Sequence, residues 1–339
     1  MKVSFLQFAW DQLTLPVPSV VEENLEEKTV IVTGANIGLG FEAAKHFAQM
    51  GAKKLIIACR SKGKGDEAVS KIKADTGNKN VELYLLDLAS FASVKAFAER
   101  FTKENDRLDI LVENAAVATS KFELTEDGWE TSLQVNDIST SLLALRLLPL
   151  MVETAKTHRT TPRIVVVSSE AHYWTSLSKE VIDSPNPLRL LGAEKESAKH
   201  MKTRYEDTKL LNVFFVRALN ERLVHKSVVV NAPNPGFCYS GLRRNASGIV
   251  VTPLVWLMEV VLARTTEEGS RQLVFAALGN EGKDEMRGAY ISMSEVNEPS
   301  DFVISEEGRV AQDKLWDNLI DELIKIDPKV RDIVREYLK

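Results

Sequence analysis

The stretch that most limits what this chain can become is Thr29-Val-Ile-Val-Thr33, followed at once by Gly34-Ala-Asn-Ile-Gly38-Leu-Gly40. A short β-branched run without polar alternation suits a strand buried on both faces. Glycines directly after it let the backbone turn sharply, and a helical pattern then runs to Met50, with Gly51 as its stop. Such a turn brings the free N–H groups of the helix, and the positive end of its dipole, to one point where a phosphate would be held. The spacing is TGxxxGxG rather than GxGxxG, and a tight turn without a ligand is the alternative reading.

The alternation continues along the chain. Further strands are expected at 54–59, 81–86, 108–112, 163–167, 227–231 and 288–292. Helices are expected at 64–75 (ended by Gly77), 90–105 (capped by Ser90), 127–153 and 205–224. Alternating units with continuously apolar strands imply an α/β fold: a single-domain, Rossmann-type, doubly wound parallel sheet of about seven strands with helices on both faces. Ligands of such sheets bind beyond the carboxyl ends of the strands, where the strand order reverses. The expected organisation is an N-terminal arm (1–27), the Rossmann domain (28–304) and a C-terminal helical extension (305–339).

With 339 residues, 44% of them hydrophobic, the chain can bury a sizeable core. The net charge of −5 argues against a dedicated nucleic-acid binder. Cys59 and Cys238 could pair, but two cysteines make no disulfide framework, so a reducing, cytoplasmic setting is the simpler reading. The five histidines form no close pair, and no metal site is expected. Residues 1–24 have neither the apolar run of a signal peptide nor the length of a membrane span. The longest apolar run, 249–263, contains Pro253 and Glu259 and is too short to cross a bilayer. It reads as a site-covering helix, with peripheral membrane contact as the minority alternative.

Several residues carry chemistry by position. Arg60 ends the second strand, where an acid would bind a ribose 2′-hydroxyl and Arg accommodates a 2′-phosphate. It favours NADP over NAD, with Lys62 or Lys64 as helpers, against the reading of an ordinary surface Arg. Asp87-Leu88 ends the third strand, where a carboxylate could accept from an adenine amino group. Ser168-Ser169 follows the fifth strand. Tyr205 and Lys209 share one helix face by their i, i+4 spacing. An ammonium near a phenol favours the phenolate, so the phenol can act as acid or base near neutrality.

TGANIGLG, LDL, Glu113-Asn114-Ala115-Ala116, the Asn136 of LQVN, VVSS, YEDTK and NPG stand in the order found in short-chain dehydrogenases/reductases, over residues 28–240. The chain resembles that family. With ACR and SSEAH it is most similar to the retinol-dehydrogenase-like and WW-domain-oxidoreductase-like branch and to fungal members of secondary metabolism. The resemblance implies a catalytic set of Asn136 (supporting a proton-relay water), Ser169 (binding the carbonyl), Tyr205 (acid/base) and Lys209 (holding the nicotinamide ribose). It implies cofactor contacts at Gly34, Asn36, Ile37, Gly38, Leu39, Gly40, Asn114 and Ala115. Pro235 and Gly236 would line the nicotinamide, and Ser240 stands where a Thr often contacts the cofactor.

Three departures stand out. The family's NNAG reads Glu-Asn-Ala-Ala, the residue before Gly38 is Ile37 rather than Arg or Lys, and Ser169 and Tyr205 lie 36 positions apart. The insertion at 170–203 either covers the site, blocks the usual helix-mediated dimer or lies exposed to solvent.

The expected function is an NADPH-dependent ketoreductase, or the reverse dehydrogenase, acting on a bulky apolar carbonyl or alcohol such as a polyketide-type ketone. Apolar residues around 173–191 and 237–265, the latter read as covering the substrate, suggest this class. A non-redox isomerase or cyclase and a non-catalytic dinucleotide-binding protein are the alternatives. Monomer and homodimer both stay open.

Overall fold

The computed structural model describes residues 5–196, 201–239, 261–280 and 284–339. Eight strands form one sheet: β1 (Thr29–Thr33), β2 (Lys54–Cys59), β3 (Val81–Leu85), β4 (Ile110–Glu113), β5 (Arg163–Val166), β6 (Val229–Asn234), β7 (Tyr290–Ser292) and β8 (Glu295–Asn297). Their order is β3-β2-β1-β4-β5-β6-β7-β8. All neighbours are parallel except β7 and β8. The order reverses between β1 and β4. Strands β1, β4, β5 and β6 are buried at every position, as strands covered on both faces must be.

Side chains alternate between two cores. Ile31, Leu111, Ile164 and Val166 face one. Val30, Val32, Ile110, Val112 and Val165 face the other. The second core is covered by α2 (Gly38–Gln49), α3 (Lys62–Thr76) and α7 (Thr266–Leu278). The first is covered by α4 (Phe91–Glu104), α5 (Ser139–His158) and α6 (Arg204–Arg222). Among the described residues the remaining long helices are α1 (Phe5–Thr14), α8 (Glu306–Ile326) and α9 (Lys329–Tyr337). Ser61 and Ser90 cap α3 and α4 by accepting from Lys64 N and Ser93 N. Gly77 closes α3 in the left-handed region, at φ 75°. Cys59 and Cys238 are both buried and are not joined by a disulfide.

Three differences from the sequence reading stand out. An eighth strand is present. It is antiparallel, three residues long and exposed, and it is reached through Met293 and Ser294, both at positive φ. No Gly or Asn marks that turn; the Gln272 side chain secures it by accepting from Ser294 N and donating to Ser294 Oγ. Strand β6 runs on through Pro233 to Asn234, pairing with β7 beyond the end of its ladder with β5.

The long helix begins at Thr131, not 127, because the Glu130 carboxylate accepts from Ser132 N and Leu133 N and caps it there. It opens with a π-helical segment, Gln134–Ile138. Among the described residues Thr131–His158 is the one helix long and apolar enough to cross a membrane; 78% of its most apolar window is buried, so it is a core helix here.

The C-terminal helices lie against the outer side of α5 and α6. Phe215 stacks on Trp316, Arg222 pairs with Asp313, and Arg146 with Asp327. The insertion is not an exposed loop. Its short helices Lys179–Asp183 and Pro187–Leu191 pack on α8, where Leu188 N donates to Asn318 Oδ1 and Arg189 pairs with Glu322. Val181, Ile182, Leu188 and Leu191 are buried there. Apolar side chains in the insertion gain a partner face from the extension, which explains why neither lies free.

Candidate active site

At the reversal point the β1 turn and the end of β4 interlock. Asn114 N and Ala115 N both donate to Thr33 Oγ1, and Asn114 Nδ2 donates to Thr33 O. A Cβ on Gly34 would lie 2.9 Å from Ala115 Cα, and one on Gly40 would lie 2.5 Å from Asn114 Nδ2. These glycines are required by packing. Gly38 differs: it stands at φ 67° with nothing within 4 Å of its missing side chain. The residue before it, Ile37, gives α2 no side-chain cap and is 59% exposed. The first turn of α2 therefore keeps its N–H groups without a side-chain cap, the arrangement by which a helix start holds an anion.

Arg60, at the end of β2, is exposed and has no hydrogen bond or ion pair among the described residues. Asp87 follows β3; its Oδ1 accepts from Ala89 N. Leu88 is buried and its carbonyl accepts from Ser139 Oγ.

A second cluster forms at the ends of β5 and β6. Ser168 is tied down, its N donating to Pro233 O and its Oγ to Lys209 O. Ser169 follows it, and its Oγ accepts from Ala171 N. The Lys209 ammonium lies 5.5 Å from the centroid of the Tyr205 ring, donating to Val167 O at 2.7 Å and to Asn212 Oδ1 at 3.3 Å. Burial lowers its pKa to about 7, opposed by the Asp137 carboxylate, which burial in turn raises.

Asn136 uses its carboxamide like a peptide group: Oδ1 accepts from Val117 N and Nδ2 donates to Val117 O. Nδ2 also reaches Thr208 Oγ1 on α6. The π-helical slip leaves the Asn136 carbonyl to accept from Asn212 Nδ2. A polar chain thus links Asn136, Asn212 and Lys209. Pro235 and Gly236 follow β6, with Gly236 at φ 77°. Ser240 lies outside the described residues, as does most of 237–265.

Other residues of this region, several of them inside the quoted motifs, had no role assigned from the sequence. Asn234 Oδ1 accepts from both Glu170 N and Gly236 N, joining the β5 and β6 loops. His172 Nε2 accepts from Ser300 N, so the ring proton sits on Nδ1 and is donated to Ser169 O. Burial lowers its pKa to about 4 and keeps it neutral. Arg204, fully buried beside Tyr205, donates to Leu191 O in the insertion and faces Glu130 and Asp207 at 3.6 Å each. Burial pushes Glu170 up to about 7, with Arg264 opposing. Glu113 is buried with neither carboxylate oxygen partnered, and burial raises its pKa well above the usual range.

The model of the short chain dehydrogenase family matches residues 28–177. A short chain dehydrogenase/reductase (dmxR8) of Cryptosporiopsis sp. is 38% identical over 329 residues, covering 95% of this chain and 98% of that one. A short chain dehydrogenase (sol3) of Alternaria solani is 39% identical over 288 residues, covering 85% and 96%. Among solved structures, L-sorbose reductase of Gluconobacter frateurii, complexed with NADPH and L-sorbose, matches with a TM-score of 0.59 at 20% identity, over 80% of this chain and 97% of that one. The Pseudomonas aeruginosa RhlG/NADP complex matches at 0.58 and 21%, over 78% and 94%.

Proposed function

Because the chain belongs to the short-chain dehydrogenase/reductase family of oxidoreductases, we propose that it is an NADPH-dependent reductase, or the reverse dehydrogenase, of a ketone or aldehyde on a bulky apolar substrate. The observation that carries this reading is the joining of two sites at one sheet edge. The uncapped α2 turn at Gly38 and the Tyr205–Lys209–Asn212–Asn136 chain both lie at the carboxyl ends of the strands.

NADPH, when bound, supplies hydride to the carbonyl carbon. Tyr205 gives its phenolic proton to the carbonyl oxygen, so the product gains one hydride and one proton. The Ser169 hydroxyl orients that oxygen. Lys209 stabilises the phenolate left behind and holds the nicotinamide ribose, while Asn136 and Asn212 offer the polar chain through which the proton is replaced. Gly34–Gly40 and Asn114-Ala115 would hold the pyrophosphate side, Asp87-Leu88 the adenine, and Pro235-Gly236 with Ser240 the nicotinamide.

Arg60 supports NADP over NAD, being exposed and uncommitted where a 2′-phosphate would lie. NADPH and NADP in the two structural neighbours agree with that preference. A polyketide-type secondary metabolite and a cytoplasmic setting fit this reading.

The test is NADPH oxidation over a panel of apolar ketones and aldehydes, with the product weighed by mass spectrometry. A product two hydrogens heavier than substrate supports the proposal. A product of unchanged mass replaces it with an isomerase or cyclase, and cofactor binding without turnover replaces it with a non-catalytic dinucleotide-binding protein.

A further inference from the structure

The N-terminal helix α1 is ten residues long, too short to be stable alone in water. Trp10 and Leu13 are 65% and 59% exposed, so these large apolar residues do not anchor it. Polar contacts tie the arm to the body of the protein. Arg264 donates to Leu15 O and Arg271 to Pro18 O. The most elaborate contact is made by Gln12. Its Nε2 donates to Phe237 O at 3.0 Å and to Leu262 O at 2.9 Å, and its Oε1 accepts from Phe237 N at 3.4 Å. Both N–H groups and the oxygen of one carboxamide are used, on two segments far apart in the chain.

Phe237 immediately follows Pro235-Gly236. Phe237 O also accepts from Arg264 N, and Arg264 O accepts from Tyr239 N, so these segments form a short paired stem. Gln12 closes that stem from outside. Its Oε1 lies 3.0 Å from where a Cβ on Gly236 would stand, so the arm forms the back wall of the Gly236 turn.

We propose that Gln12 is a positioning residue for the nicotinamide-side loop: by pairing with both peptide groups of Phe237 and with Leu262 it sets the height of the Pro235-Gly236 turn, which makes the N-terminal arm a working part of the site. The inference rests on the reading of this chain as a dinucleotide-dependent reductase. Glu at this place would aim a carboxylate at two carbonyl oxygens, and Asn is one methylene too short to span both segments, so the contact is specific to Gln.

The experiment compares wild type, Gln12→Leu and Gln12→Asn, with Arg271→Gln as a variant that loosens the arm at Pro18 without touching the Phe237 loop. Amide hydrogen exchange of the peptide covering 235–239 is followed in cofactor-free protein, the NADPH Kd by fluorescence titration, and KM and kcat separately. In both Gln12 variants, exchange is expected to speed up and the NADPH Kd to rise by about fivefold to tenfold, the worth of one or two hydrogen bonds. KM for NADPH should follow Kd, with kcat changed less, and the thermal midpoint should hardly move. Arg271→Gln should leave exchange at 235–239 near wild type. Faster exchange with Kd and KM within twofold of wild type overturns the proposal, as does an equal loss in Arg271→Gln, which would assign the effect to the arm as a whole. Failure of the wild-type protein itself to bind NADPH overturns the underlying reading instead.

Discussion

Two glycines stand in left-handed backbone on either side of the proposed cofactor track, and they are held in opposite ways. Gly38, at φ 67°, has open space where a side chain would be, and its turn is built by residues within a few positions of it plus Asn114. Gly236, at φ 77°, is backed by Gln12 and hydrogen-bonded to Asn234, whose amide oxygen also holds the β5 loop. The difference follows from what each must meet. A phosphate needs free N–H groups at a helix start, which short-range sequence can provide. A planar ring and a substrate need a wall, and a wall is assembled from distant segments.

Variants can break that division or sharpen it. The largest effect is expected from Tyr205→Phe, which should lower hydride transfer by about 10²- to 10⁴-fold in single-turnover assays while leaving NADPH affinity close to wild type. An equal loss of affinity would show that the chemical and binding sides are not separable.

Next come the glycines of the phosphate turn. Gly40→Ala drives a Cβ into Asn114 Nδ2 and Gly34 O and should cost about 1–3 kcal/mol in chemical denaturation. Gly38→Ala meets no atom, only the left-handed backbone, and should cost about 1–2 kcal/mol. If Gly38→Ala proves the worse of the two, packing is not what distinguishes these positions.

Arg60→Glu should shift the NADPH-to-NADH ratio of kcat/KM by about tenfold to a hundredfold, the scale of one charge-assisted hydrogen bond, with kcat itself nearly unchanged.

The smallest functional effect is expected at Glu113. Its folded pKa is raised above the unfolded value, so the stability linked to its protonated form is present below the unfolded pKa and is lost as pH rises toward the folded one. Glu113→Gln should be more stable than wild type at pH 7, with a flatter stability profile above about pH 4.5, read by urea melts across pH.

Much of the frame could be read in advance. Strands β1 and β2 match the expected bounds residue for residue, and Ser90 and Gly77 cap α4 and α3 where the side-chain chemistry required. These features rest on local rules: β-branched runs, a hydroxyl that accepts from a helix N–H, a glycine free to turn left-handed. The π-helical segment around Asn136, the Met293-Ser294 turn and the docking of the insertion on α8 could not be read this way. Each depends on a partner that no local pattern announces.

Taken alone, the sequence determined the parallel sheet, the glycine turn and a Tyr and Lys on one helix face, because period and steric freedom are properties of neighbouring residues. Only the tertiary structure decided that Gln12 should reach Phe237 across 225 positions, that Asn234 should join two loops and that the C-terminal helices should cover α5 and α6. Those contacts pair polar groups and apolar faces from segments that lie apart in the chain, and they exist only once the sheet has brought those segments together.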